Sequence, residues 1–377
     1  MRWAFPVARV AGTEIRIHLT FLLLLVLVAG GAWQSGGAAA ALEGTTFILL
    51  LFGSVLLHEL GHATAARRYG IATPWIVLLP IGGIAALQGM PRQPRRELVI
   101  AAAGPAVNVA IALAIAAALA LSGADATPFS AGLDEEVGMA KSLLNANLAL
   151  VLFNLLPAFP MDGGRMLRAT LATRMEYTRA TRIAARTGQG FAFLLAALGL
   201  IASPMLILVA VVVYVGAGQE AALVAMQAVA ARHRAADAMV TALHTLTPDS
   251  TLWEARALLL RTPQDVIPVL DYDRRPQGMV TSADVIAALA AGGPYRPVAR
   301  VMRAGAPCVS PGMPLDQAVR RMGAARAPAL PVTDDDGRLL GMVTPESVGR
   351  LVALEGASAR APAAERGPLP LPLPARG

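Results

Sequence analysis

The chain has 377 residues, room for two or three units of ordinary size, of which 55% are apolar and only 15% charged, where soluble globular proteins carry roughly 25% charged residues. A wholly soluble protein is excluded, because the apolar excess lies in long runs within roughly the first 220 residues. The net charge of +7 sits on arginines at the ends of those runs, which the positive-inside rule explains without any nucleic-acid partner, and the single cysteine, Cys308, excludes an internal disulfide.

In chain order, Leu19 to Ala29 is apolar and follows Arg2, Arg9 and Arg16. It reads as an uncleaved first span, the alternative being a signal peptide with small residues around Gly36 to Ala41. Thr45 to Ala66, Leu98 to Leu121 and Ser142 to Phe159 each have about the 20 residues of a helical span. Gly188 to Gly218 is too long for one span, and Ser203-Pro204 divides it into a hairpin whose second arm runs on to Met226. The expectation is a polytopic α-helical membrane domain with six spans.

Loop charges agree with that count. Arg67, Arg68, Arg92, Arg95 and Arg96 follow the second span, and Arg165, Arg168, Arg174, Arg179, Arg182 and Arg186 the fourth. The loop after the first span carries only Glu43, and the loop after the third has Asp125, Asp134, Glu135 and Glu136. Both termini are therefore expected in the cytosol, with the chain integral to a bacterial inner membrane.

From Ala236 short strands and amphipathic helices take over, with an internal repeat. Met239, Pro248, Leu252, Pro268, Val269, Gly278, Met279, Val280 and Thr281 recur, each 63 positions later, as Met302, Pro311, Leu315, Pro331, Val332, Gly341, Met342, Val343 and Thr344. The divisions expected are a membrane domain over 1–225, a linker over 226–235, repeats over 236–295 and 296–356, and a disordered Ala- and Pro-rich tail over 357–377.

His58-Glu59-Leu60-Gly61-His62 is the segment that carries chemistry. Two His at i and i+4 share one helix face, so both imidazoles reach one zinc ion, and Glu59 stands where it takes a proton from water. The site lies about 14 Å inside the cytosolic end of its helix, a depth at which ionisable groups are costly unless they coordinate or pair. A catalytic zinc takes three protein ligands and keeps one open position. The third candidate is Asp162, in Asn154-Leu-Leu-Pro157-Ala-Phe-Pro160-Met-Asp162-Gly163-Gly164-Arg165. Pro157 and Pro160 prevent a regular helix there, and irregular backbone at membrane depth is tolerated where it is buried in protein or lines a cavity.

The two segments together resemble the site-2 protease family of intramembrane metalloproteases. The resemblance covers about residues 1 to 225. It implies a zinc endopeptidase acting on membrane-protein substrates within the lipid bilayer, with His58, His62 and Asp162 as ligands, Glu59 as base and Asn154 holding the substrate or its oxyanion. It also implies substrate-side roles for Asn108, in Gly104-Pro105-x-x-Asn108, and for Gly82 and Gly83. The last two lie in Trp75 to Leu87, a stretch the family uses as a hairpin that adds a substrate strand; a loop packed on the bundle is the other reading of that stretch.

The repeated unit resembles a CBS domain, on Gly278-Met-Val-Thr281-Ser-Ala-Asp284 and Gly341-Met-Val-Thr344-Pro-Glu-Ser347. That resemblance implies a soluble α/β tandem module which binds an adenine nucleotide through Thr281, Asp284 and Thr344, or which pairs only structurally and dimerises the chain. Ser347 stands where Asp is expected, so at most one site is fully equipped. The alternatives for the whole chain are a catalytically silent membrane scaffold and a transporter regulated by the repeats. The intact Glu59 argues against the first and the absence of an inverted repeat against the second.

Overall fold

The computed structural model describes residues 3–80, 82–87, 93–129 and 138–358, which fall into two compact units, Met1–Ala222 and Leu223–Gly377. Arg92, the acidic cluster Asp134, Glu135 and Glu136, and the tail from residue 359 onward lie outside the described residues.

The first unit begins with strands, where the sequence reading assigned no element. Strands β1 (Ala4–Val10) and β2 (Thr13–His18) pair antiparallel. Their turn, Ala11-Gly12, has φ of 48° and 84°, the left-handed pair that matches strand twist in a two-residue hairpin. No apolar run marks them, because β1 is exposed along nearly its whole length.

Helix α1 (Leu19–Arg67) follows, 49 residues long, where two separate spans are expected. Its geometry breaks at Gly36 (φ −149°, ψ 17°) and Gly37 (φ 69°, ψ −155°), the second a positive-φ conformation open in practice to glycine. The arms fold back on each other. Phe21 and Phe52 pack with ring centroids 4.6 Å apart and planes tilted by 60°, and a methyl group placed on Gly44 would touch Val28 and Ala32 at 3.5 and 3.6 Å.

The chain then forms β3 (Trp75–Leu79) and β4 (Gly82–Ala85). β3 lies parallel to β2 and antiparallel to β4, so the sheet order is β1-β2-β3-β4 with β4 at an edge. Ile76, Val77 and Leu78 anchor this sheet in the core. Within Trp75 to Leu87 the described residues thus form an antiparallel strand pair.

Helices α2 (Pro94–Leu121), α3 (Met139–Asn154), α4 (Asp162–Ala172), α5 (Tyr177–Ile201) and α6 (Pro204–Ala230) complete the helical part. Four helices among the described residues, α1, α2, α5 and α6, are long and apolar enough to cross a membrane. The helix expected over Ser142 to Phe159 runs instead over Met139–Asn154, 16 residues, because Pro157 and Pro160 supply no N–H to continue it. The hairpin expected around Ser203-Pro204 appears as the junction of α5 and α6, and α6 runs through the first half of the stretch read as a linker.

The second unit is built twice over. Its first half holds α7 (Ala235–Ala238), α8 (Leu252–Arg261), β5 (Val266–Leu270), β6 (Pro276–Thr281) and α9 (Ser282–Ala290). A 3-10 turn at Val298–Arg300 leads to β7 (Arg303–Ala304), α10 (Leu315–Ala325), β8 (Leu330–Thr333), β9 (Leu339–Val343) and α11 (Pro345–Ser358). Each half lends the residues that precede it to the other. Val240 bridges to Met342 of β9, and Arg303 of β7 pairs with Met279 of β6, equivalent contacts at the 63-residue offset. One buried cluster, Leu270, Met279, Ala329, Leu339 and Met342, takes residues from both halves.

Candidate metal centre

The second arm of α1 carries His58 and His62 one turn apart, both buried. Asp162 reaches them because α3 stops at Asn154 and the proline-containing segment turns the chain inward, making Asp162 the first residue of α4. Gly163 and Gly164 allow that start. A Cβ on Gly163 would overlap the carbonyls of Leu155 and Leu156, and one on Gly164 the backbone at Ala158 and Phe159.

The three donor atoms form a nearly regular triangle. His58 Nε2 and His62 Nε2 are 3.0 Å apart, and they lie 3.2 and 3.1 Å from Asp162 Oδ2. Metal–ligand bonds of about 2.0–2.1 Å in tetrahedral geometry put neighbouring donors roughly 3.3 Å apart, so the triangle closely matches one face of such a site.

Hydrogen bonding sets which histidine nitrogens are free. His62 Nδ1 is 2.7 Å from the Ile100 carbonyl, which only accepts, so Nδ1 carries the proton and Nε2 presents its lone pair. For His58 the same result follows from a relay. The Leu143 carbonyl takes the Asn147 amide N–H at 2.9 Å, which turns Asn147 Oδ1 toward the Asn108 amide N–H, also 2.9 Å away. Asn108 Oδ1 then faces His58 Nδ1 at 2.5 Å and accepts from it. With both rings neutral, two imine lone pairs and a carboxylate converge, an arrangement that suits a cation. The residues fit a zinc-type divalent ion.

Helix α2 lines this site at contact distance. A Cβ on Gly104 would overlap both Nε2 atoms, and one on Gly61 would press on the Ala103 carbonyl at 2.8 Å. Glu59 points from the same turn as His58 toward β4, where a Cβ on Gly83 would stand 2.7 Å from the glutamate Cγ. The edge strand β4 therefore passes directly over Glu59.

Not every residue expected at the site is gathered there. Asn108, for which a substrate-side role is expected, is fully buried and bonded to His58. Asn154 ends α3 half-buried, and its amide donates to the Leu150 carbonyl of its own helix at 3.0 Å. Ser54 and Asn147, which sequence reading missed, close the relay, with Asn147 Nδ2 3.3 Å from Ser54 Oγ. Both are small polar residues within apolar runs, the one signal that could have found them.

In the second unit Thr281 and Asp284 cap α9 reciprocally: Asp284 N–H donates to Thr281 Oγ1 at 3.2 Å and Thr281 N–H to Asp284 Oδ2 at 3.1 Å. Arg303 adds bonds of 3.0 and 2.9 Å to the same carboxylate. Thr344 and Ser347 repeat the cap without the charge, with Ser347 N–H donating to Thr344 Oγ1 at 3.1 Å. Burial alone would raise the Asp284 carboxyl, but the bonds from Arg303 and Thr281 outweigh it and hold the group below the usual range.

Comparison with known proteins gives matches for both units. Residues 46–146 and 137–196 match peptidase family M50, and residues 235–291 and 298–353 match the CBS domain. A zinc metalloprotease of Methanocaldococcus jannaschii is 36% identical over 272 residues, 72% of this chain and 76% of that one. Rip3 of Mycobacterium tuberculosis, by name a zinc metalloprotease, is 30% identical over 373 residues and 93% of each chain. Among solved structures, a site-2 protease from Methanocaldococcus jannaschii is 37% identical, covering 58% of this chain and 95% of its own, with a TM-score of 0.43.

Proposed function

Since the chain belongs to peptidase family M50, the zinc metalloproteases of site-2 protease type, and carries a CBS pair, we propose that it cuts peptide bonds in or near the transmembrane segments of other membrane proteins. The observation that carries this reading is the triangle of His58, His62 and Asp162 donors with Glu59 beside it, buried in a helical unit rich in apolar spans.

His58, His62 and Asp162 would hold one zinc ion, which when bound supplies a Lewis acid for the scissile carbonyl and lowers the pKa of water. Asn108 and the Ile100 carbonyl keep both imidazoles in the ligating tautomer. A carboxylate oxygen of Glu59 takes the proton of the attacking water and later delivers it to the leaving amine. Asn154, at the end of α3, is assigned to the carbonyl oxygen of the substrate, where an amide N–H would offset developing charge. Gly82 and Gly83 are assigned to the substrate backbone. β4 pairs on one side with β3 and offers its other edge to an extended segment, so a substrate strand added there would run past Glu59.

The helical unit is assigned six crossings: two arms of α1, then α2, α3, α5 and α6. Charge placement puts both termini and the CBS pair in the cytosol, and the membrane is taken to be a bacterial inner membrane. Thr281, Asp284 and Thr344 are assigned to an adenine nucleotide that regulates cleavage, and the pair also offers a homodimer contact. The test is cleavage of a tagged single-span substrate by detergent-purified protein, with and without a zinc chelator. Cleavage that stops on chelation and returns with zinc supports the assignment; cleavage indifferent to chelation overturns it.

A further inference from the structure

Apart from the metal donors, the most deeply buried charged side chains among the described residues of the first unit are Glu97, at 0% exposure, and Arg168, at 2%. Arg168 stands on α4, six residues after Asp162. Its Nε donates to Glu97 of α2 at 2.7 Å and its Nη2 to the same oxygen at 2.5 Å, while Nη1 donates to Glu220 of α6 at 2.5 Å. Two rings lie against the guanidinium, Phe159 at 4.9 Å and Tyr177 of α5 at 5.0 Å. The Tyr177 hydroxyl also donates to Glu97, at 3.4 Å. One side chain thus gathers α2, α4, α5 and α6 around the segment that delivers Asp162.

Such a cluster is poorly explained by stability, because well-packed apolar residues in place of a buried ion pair are often as stabilising or more so. What it supplies is direction. A guanidinium is a rigid planar fork whose bonds fix orientation as well as distance. Phe159 lies three residues before Asp162 and Arg168 six after it, so the guanidinium stacks on one flank of the aspartate while being borne on the other.

We propose that Arg168 is a positioning residue for the metal centre: clamped by Glu97 and Glu220 and stacked on Phe159, it holds the start of α4 so that Asp162 meets His58 and His62. Glu220 makes α6 a party to that geometry. The proposal rests on the reading of His58, His62 and Asp162 as one ligand set, and the test separates the two.

The full chain, purified in detergent and stripped of metal, is titrated with cobalt(II). Its visible d–d band, its affinity against a competing chelator and its thermal midpoint are recorded for wild type, Arg168→Lys, Arg168→Met, Glu220→Gln and His58→Ala. Wild type should give one band that His58→Ala lacks; if it does not, the ligand assignment itself fails. Given that band, Arg168→Met should lose about 10–100-fold in affinity, the range for groups that support ligands, and shift the band. Arg168→Lys should fall between Arg168→Met and wild type, a point charge being no substitute for the fork. Glu220→Gln preserves shape on a side chain that is 29% exposed, so it reports even where Arg168→Met does not fold, and it should lose several-fold in affinity with a shifted band. Wild-type band and affinity in both Glu220→Gln and Arg168→Lys, whatever their thermal midpoints, would overturn the proposal.

Discussion

At the scale of single residues the metal centre depends on what is absent as much as on what is present. Gly104 lets α2 lie against two imidazoles, and the nearest atoms to any added methyl are the donor nitrogens themselves. Gly104→Ala should therefore bind less than a tenth of the wild-type zinc, measured by metal analysis of purified protein, with the helical circular dichroism retained. Asn108 supports its ligand through one short bond. Asn108→Leu should weaken zinc affinity by about 10–100-fold while KM for a model substrate stays within about twofold once zinc is saturating. A raised KM with unchanged zinc affinity would return Asn108 to the substrate side.

At the scale of elements, the turn in α1 shows where glycine is required. Gly37 sits at φ 69°, ψ −155°, a region that costs a residue with a Cβ about 1–3 kcal/mol. Gly37→Ala should lower the thermal midpoint of the purified protein, whereas Gly53→Ala, on the same helix with open space around it, should not. The repeats hold a second, pH-dependent contact. The Asp284 carboxyl is held below its usual pKa in the folded state, so its contribution is present above the unfolded value of about 3.9 and is lost as pH falls through the folded one. Between pH 5 and pH 3 wild type should lose more of its thermal midpoint than Asp284→Asn, which has no such carboxylate to protonate.

The elements also show what could be read from the residues. The HExxH segment, the prolines after Asn154 and the 63-residue offset each state a local rule that a helix, a break or a repeat must obey. They were legible for that reason. The β1–β2 hairpin was not, since β1 is exposed along nearly its whole length and the alternation in β2, Ile15 and Ile17 between polar neighbours, is only six residues long. Arg168 was counted among loop arginines because charge placement along a sequence cannot distinguish an arginine facing water from one enclosed by Glu97 and Glu220. Asn108 was assigned to the substrate, because the fold alone brings α2 beside His58.

At the scale of the whole molecule, the orientation proposed from the arginines is open to direct measurement. Cys308 is the chain's one cysteine and is exposed. In vesicles of known sidedness a membrane-impermeant maleimide should label it only when the cytosolic face is outward; labelling of right-side-out vesicles would place the CBS pair on the opposite side.

The central claim, that Glu59 moves the proton for peptide hydrolysis at a zinc site made by its neighbours, is tested most directly by Glu59→Gln beside wild type, with zinc content and cleavage of a membrane-spanning substrate measured on the same samples. Wild type should bind one zinc per chain and cut; Glu59→Gln should bind the same zinc, with cleavage reduced by at least about 100-fold. Equal cleavage by the two proteins, or cleavage by neither when both hold zinc across several substrates, would contradict it.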